Sequence, residues 1–249
     1  MAQPSGLTSR RRLLAGASVA LLVHSRAASA RIVKNGMPWW PDAGDPPKQV
    51  NAGPWTWFTP EEGSAVEALA DRLIPPDPKW PGGKDAGVAT YIDAQLAGPY
   101  GSSRGLYMRP PFHEGTKEQG PQSPLTPAAR YRRALAALDK YCKAKFGGKA
   151  FRDIPDDRKD EVLTGLEKGS VQLEGTSGKA FFEMLWTNTK EGFFADPVYG
   201  GNRDMVGWRM LGFPGARYDY RDWVLRHNER YPLPPVSIRG HRPANAGAA

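Results

Sequence analysis

Apolar residues recur at helical spacing in five separate stretches of this chain. Thr59-Pro60-Glu61-Glu62 opens the first. Thr59 suits the N-cap, Pro60 the first helical position and Glu62 the reciprocal position of a capping box. Val66, Leu69, Ala70 and Leu73 then fall on one face, and Pro75-Pro76 ends the helix. A shorter helix is expected from about Val88 to Leu96, after the glycine-rich residues 81–87. Thr126-Pro127 opens a third, whose stripe runs through Tyr131, Leu135, Leu138 and Cys142 towards Phe146. The fourth spans Asp156 to Glu167, with an acidic first turn that suits the helix dipole. The fifth is expected from about Lys179 to Lys190, with Phe181, Met184 and Leu185 inward and Gly192 as its stop. Tyr218 to Arg226 reads as a last short helix. Few segments alternate as strands do, so the expected fold class is mainly α.

The stretches between the helices carry the rest of the organisation. Met37 to Phe58 is an extended arm: five prolines interrupt any helix, and Trp39, Trp40, Trp55, Trp57 and Phe58 require a surface to cover them. The pattern leaves open whether that surface belongs to this chain or to another. Gly98 to Leu125 is a long loop by composition, and loops of that length tend to be functional. Glu191 to Gly215 holds six glycines and five aromatics in 25 residues. Glycine permits positive φ and close backbone approach, while aromatic area must be buried, so this is an ordered irregular segment. It has two readings, a loop covering its own core or a docking surface for a partner. Pro232, Pro234, Pro235 and Pro243 give an extended tail. The expected division is residues 1–30 as a signal, 31–58 as an arm rich in Trp and Pro, 59–223 as one helical domain and 224–249 as a tail.

Residues 191–215 also carry a resemblance. Glu191-Gly192-Phe193-Phe194, Asp196-Pro197, Tyr199-Gly200-Gly201-Asn202, Gly207-Trp208 and Gly212-Phe213-Pro214-Gly215 resemble the signature of the gluconate 2-dehydrogenase subunit 3 family. The helix starts at Thr59 and Val88, with Ile92-Asp93 and Gln95-Leu96, are similar to the beginning of the same family. The resemblance covers roughly Phe58 to Gly215.

Composition and charge narrow the partners. Gly and Pro together make about a fifth of the 249 residues, which fits many irregular connections. No stretch of 18 or more apolar residues occurs, so no ordinary transmembrane helix is expected. Ser9-Arg10-Arg11-Arg12-Leu13-Leu14 matches a twin-arginine export signal, followed by the apolar run Leu13 to Val23, with an ordinary secretory signal with a basic start as the alternative. Ala28-Ser29-Ala30 offers a cleavage site. The mature protein is therefore expected in the periplasm. Loss of residues 1–30 removes four arginines and no acid, leaving 30 basic against 26 acidic residues and lowering the formal charge from +8 to +4. That is a weak basis for nucleic-acid binding, and no recognition helix is evident. Six arginines between Arg217 and Arg242 concentrate positive charge towards the C-terminus, read either as a solvated face or as suited to an acidic partner or an anionic surface.

Candidate chemistry is sparse. Cys142, the lone cysteine, sits on an apolar helix stripe and reads as a buried structural thiol. Without Cys-x-x-Cys-His no covalent c-type haem is expected, and no multi-thiolate iron–sulfur cluster. His113, His227 and His241 have no metal-ligand spacing. Asp196 and Asp204 lie in a glycine-rich context where carboxylates more often fix turns than transfer protons. Gly98, Gly101 and Gly105 lack dinucleotide-binding spacing, and Gly147-Gly148-Lys149 lacks the rest of a phosphate loop. No catalytic, cofactor or metal residue is assigned in this chain.

The resemblance implies a non-catalytic small subunit. Its partners would be a large FAD-bearing catalytic subunit and a multihaem cytochrome c subunit. Such a complex, on the outer face of the inner membrane, oxidises a sugar, polyol or sugar acid and passes electrons towards quinone. The small subunit carries the export signal for itself and for the flavin subunit. Trp186, Phe193, Phe194, Tyr199, Asn202, Trp208 and Phe213 are the candidate partner-docking residues, with core packing as the competing role. A stand-alone exported enzyme and a carbohydrate-binding module using the tryptophans are the alternatives.

Overall fold

The computed structural model describes residues 54–238, apart from 114, 120–122 and 218. Arg10, Arg11, Ala28 and Ala30 of the expected export signal lie outside the described residues, as do Trp39 and Trp40 of the arm. Six α-helices carry the described part: α1 Pro60–Leu73, α2 Val88–Ala97, α3 Pro127–Lys145, α4 Asp156–Glu167, α5 Gly178–Phe194 and α6 Val206–Leu211. No strand occurs among the described residues, only the isolated bridges Leu173–Thr176 and Gly215–Val236. The fold is mainly α, as the spacing predicts. None of the described helices is long and apolar enough to cross a membrane.

Local chemistry explains the helix starts. Thr59 Oγ1 accepts the Glu62 amide at 3.2 Å and the Glu62 carboxylate accepts the Thr59 amide at 3.0 Å, closing the expected capping box. Thr126 and Ser177 cap α3 and α5 through their hydroxyls. Glycine 87, at φ 78°, turns the chain into α2 without a side-chain cap.

Helix α5 is the hub, packing against all five others. Leu69 and Val66 of α1, Ile92 of α2, Tyr131 and Leu138 of α3, Leu166 of α4 and Leu185 and Phe193 of α5 are all buried in the shared core. Cys142 is buried there as well. The described end of the arm packs on this chain: Phe58 is buried, and Trp55 and Trp57 lie against the core.

Two sequence expectations need correction. Helix α5 does not stop at Gly192 but runs through it to Phe194. Gly192 is a contact point, because a Cβ there would lie 3.0 Å from Cδ1 of Tyr91 on α2. The stop comes at Ala195, in extended backbone, one residue before Asp196, which Pro197 disfavours from helix. The helix expected over Tyr218 to Arg226 is only one 3₁₀ turn, Arg221–Trp223. That turn buries no residue, and Val224 and Leu225 beside it are exposed, so no packing supports a longer helix.

Candidate docking site

The chain after α5 doubles back on the helix end and is pinned there. Asn202 is fully buried and left-handed, at φ 47°. Its Nδ2 donates to the Ala195 carbonyl and its Oδ1 accepts the Gly207 amide, both at 2.8 Å. One side chain thus ties the end of α5 to the start of α6. Trp208 Nε1 adds a second tie, donating to the Phe194 carbonyl at 2.7 Å. Gly201 and Gly207 lie directly on the carbonyls of Gly192 and Phe193, where a Cβ would overlap the oxygen. Asp204 and Met205 are also left-handed, at φ 56° and 55°. Three such non-glycine residues within four positions store strain, held in place by the surrounding bonds.

A second closure comes from beyond residue 215. Asp196 Oδ1 accepts the Val198 amide at 3.0 Å, fixing the 3₁₀ turn Pro197–Tyr199. Its Oδ2 accepts the Ile238 amide at 2.7 Å. The Ala216 amide donates to the Val236 carbonyl at 2.6 Å, beside the parallel bridge from Gly215 to Val236. Tyr220 donates its hydroxyl to the Gly215 carbonyl at 2.6 Å. Asp196 is a turn-fixing carboxylate, as its glycine-rich setting suggests.

The candidate docking residues divide between the inside and the outside. Phe193 is 1% exposed, Trp208 6% and Asn202 fully buried, so all three belong to this chain's interior rather than to a partner's contact surface. Core packing, the competing role, is what their burial gives these three. Phe194 is partly buried, edge-on to Phe193 with ring centroids 5.1 Å apart. Tyr199 and Phe213 are the open ones, 52% and 47% exposed. Trp186 is partly exposed under Lys190, but it lines a separate hollow with Arg72, Leu163 and Phe182. Met210 and Leu211, exposed on α6, were missed by the pattern because α6 itself is only six residues long.

Sequence reasoning also missed a polar cluster under the loop after α2. Tyr131, wholly buried, donates to Asn188 Oδ1 at 2.9 Å, and Tyr100 donates to the same oxygen at 3.3 Å. Asn188 Nδ2 donates to Glu191 at 3.0 Å. Burial first, then the Glu191 carboxylate, pushes Tyr91 up to about 12. Burial likewise raises Tyr100 and Tyr131. These phenols stay protonated near neutral pH and serve as donors and fillers, far from the range a general base needs. Among the described residues no group of three His, Cys, Asp or Glu side chains could hold a metal ion.

No curated protein and no solved structure matches the chain significantly. A family profile described as gluconate 2-dehydrogenase subunit 3 matches residues 60–215, more than half of the chain. The match takes in α1 to α6 and the whole pinned segment. Membership implies a complex with a catalytic dehydrogenase subunit. The chain belongs to the gluconate 2-dehydrogenase subunit 3 family.

Proposed function

We propose that this chain is the non-catalytic small subunit of a periplasmic, membrane-associated, FAD-dependent dehydrogenase complex that oxidises a sugar, polyol or sugar acid. It stabilises the flavin subunit and escorts it through twin-arginine export, and a multihaem cytochrome c subunit completes the assembly. The observation that carries this reading is the segment 191–215, whose interior residues form a rigid mount while Tyr199, Leu211 and Phe213 stand outward. Ordered aromatic and aliphatic groups left in water on a family-defining segment suit a permanent interface, which is commonly large and apolar. The Arg10-Arg11 pair supports the export route, because that route carries proteins already folded with their cofactors.

Native purification of the tagged full chain tests the subunit role. A flavoprotein with dye-reducing activity towards a sugar, polyol or sugar acid is expected to accompany it, and the separated chain is expected to be colourless and inactive. Flavin absorbance and dye reduction in the separated chain would overturn the assignment. Replacing Arg10 and Arg11 by Lys tests the escort role. Periplasmic dehydrogenase activity is expected to disappear, and undiminished activity there would end the escort reading.

A further inference from the structure

A cleft of about 550 Å³ opens beside α6, lined among others by Trp80, Arg209, Phe213, Arg230, Tyr231 and Leu233. Its aromatic walls are fixed in place. Phe213 stands edge-on to Trp208 at 5.3 Å, and Trp208 is itself tied to the Phe194 carbonyl. Tyr231 packs on Trp223 at 4.9 Å, with the Arg217 guanidinium 5.1 Å from its ring. Two guanidinium groups line the cleft and no acid does. Neither Arg209 nor Arg230 forms an ion pair with a described residue. Met210 and Leu211 follow Arg209 along α6 and are exposed.

We propose that this cleft receives a segment of the catalytic subunit that carries a carboxylate beside an aliphatic or aromatic side chain. The inference rests on the subunit reading above and names where, and by what chemistry, that partner engages. Rigid aromatic walls supply area with little ordering cost, and unpaired arginines supply bidentate donors for a carboxylate. Membership of a subunit family, whose chains meet a catalytic partner, favours polypeptide as the occupant. Residues 239–249 of this chain hold two arginines and no Asp or Glu, so their charge does not complement the cleft.

The test uses the tagged full chain purified natively with its flavoprotein. The double reversal Arg209→Glu/Arg230→Glu is compared with Arg133→Glu/Lys149→Glu, an equal charge change on exposed residues outside the cleft. The cleft variant is expected to retain about tenfold less flavin per chain, with an unfolding temperature matching the control. Retention equal to the control overturns the proposal. A photo-crosslinking phenylalanine derivative in place of Leu233 gives a readout that does not depend on charge reversal. It is expected to capture a flavoprotein peptide containing Asp or Glu. Capture of residues 239–249, of a second copy of this chain or of nothing overturns the proposal. A wild-type chain that brings down no flavoprotein overturns the subunit reading itself, and so is told apart from a failure of the cleft alone.

Discussion

The Phe58 amide donates to the buried carboxylate of Asp93 at 2.8 Å, and that carboxylate also takes the amides of Thr56 and Trp57, at 2.7 and 2.9 Å. One side chain of α2 therefore receives three consecutive backbone donors and turns the end of the arm onto the helical core. The Arg132 guanidinium, 3.9 Å from the Trp57 ring, holds the arm from the α3 side and pairs with Glu62 of α1.

Removing the Asp93 carboxylate leaves three amides without that partner, in surroundings that run from part-buried at Thr56 and Trp57 to buried at Phe58. Asp93→Ala is expected to lower stability by about 3 kcal/mol or more. Asp93→Asn should lose less, because its amide oxygen can still accept the Trp57 and Phe58 amides while its nitrogen meets only the Thr56 amide with a donor. Urea unfolding followed by tryptophan fluorescence measures both. A change below about 1 kcal/mol for either would show that the arm end contributes little.

Asn202 combines a left-handed backbone with two side-chain bonds, and the two contributions separate by substitution. Asn202→Ala should cost about 3 kcal/mol, the sum of lost bonds and backbone strain. Asn202→Gly relieves the strain and should cost about 1 kcal/mol less. Equal losses in thermal or chemical unfolding would mean that the bonds alone matter.

The glycines of the pinned segment are expected to respond for different reasons. Gly201→Ala drives a methyl into the Gly192 carbonyl and should cost about 3 kcal/mol, or prevent folding. Gly212, at φ 72° with nothing near its missing Cβ, should tolerate alanine at about 1 kcal/mol. Comparable costs at the two positions in denaturant titrations would contradict the close backbone approach at 201.

Burial, with Asp139 as a lesser cause, pushes the Cys142 thiol up to about 11 from an ordinary value of 9.0. A thiol reagent at pH 8 should therefore label the native protein slowly and the unfolded protein fast. Because the folded value is the higher one, its contribution to stability is complete below about pH 9 and is lost as pH rises through about 11. Cys142→Ala should flatten the decline in melting temperature over that window. An unchanged slope would show that other groups, Tyr91 among them, govern the alkaline limit.

The helices were legible because their signals are local. Thr59 with Glu62, Thr126 before Pro127, and the acidic turn at Asp156 each act within one turn. The end of α5 was misread because Gly192 answers to Tyr91, which is distant in sequence. The same limit hid the bonds made by Asp93 and Asn188, and the cleft, whose members come from separate parts of the chain. Among the docking candidates, aromatic type does not tell which side chains are exposed. Trp208 and Phe193 turn inward while Tyr199 and Phe213 turn outward, and only the fold of 195–207 decides between them.

The stretch that sequence likeness delimits, residues 60–215, is hemmed on both flanks by polypeptide from outside it. Upstream residues 56–58 satisfy Asp93, and downstream Val236 and Ile238 cover Gly215 and Asp196. A fragment excised at those limits would expose two carboxylates and the Gly215 backbone together. Such a fragment is expected to be a loosened globule with weak near-ultraviolet dichroism, because its ends leave those groups without the backbone that satisfies them.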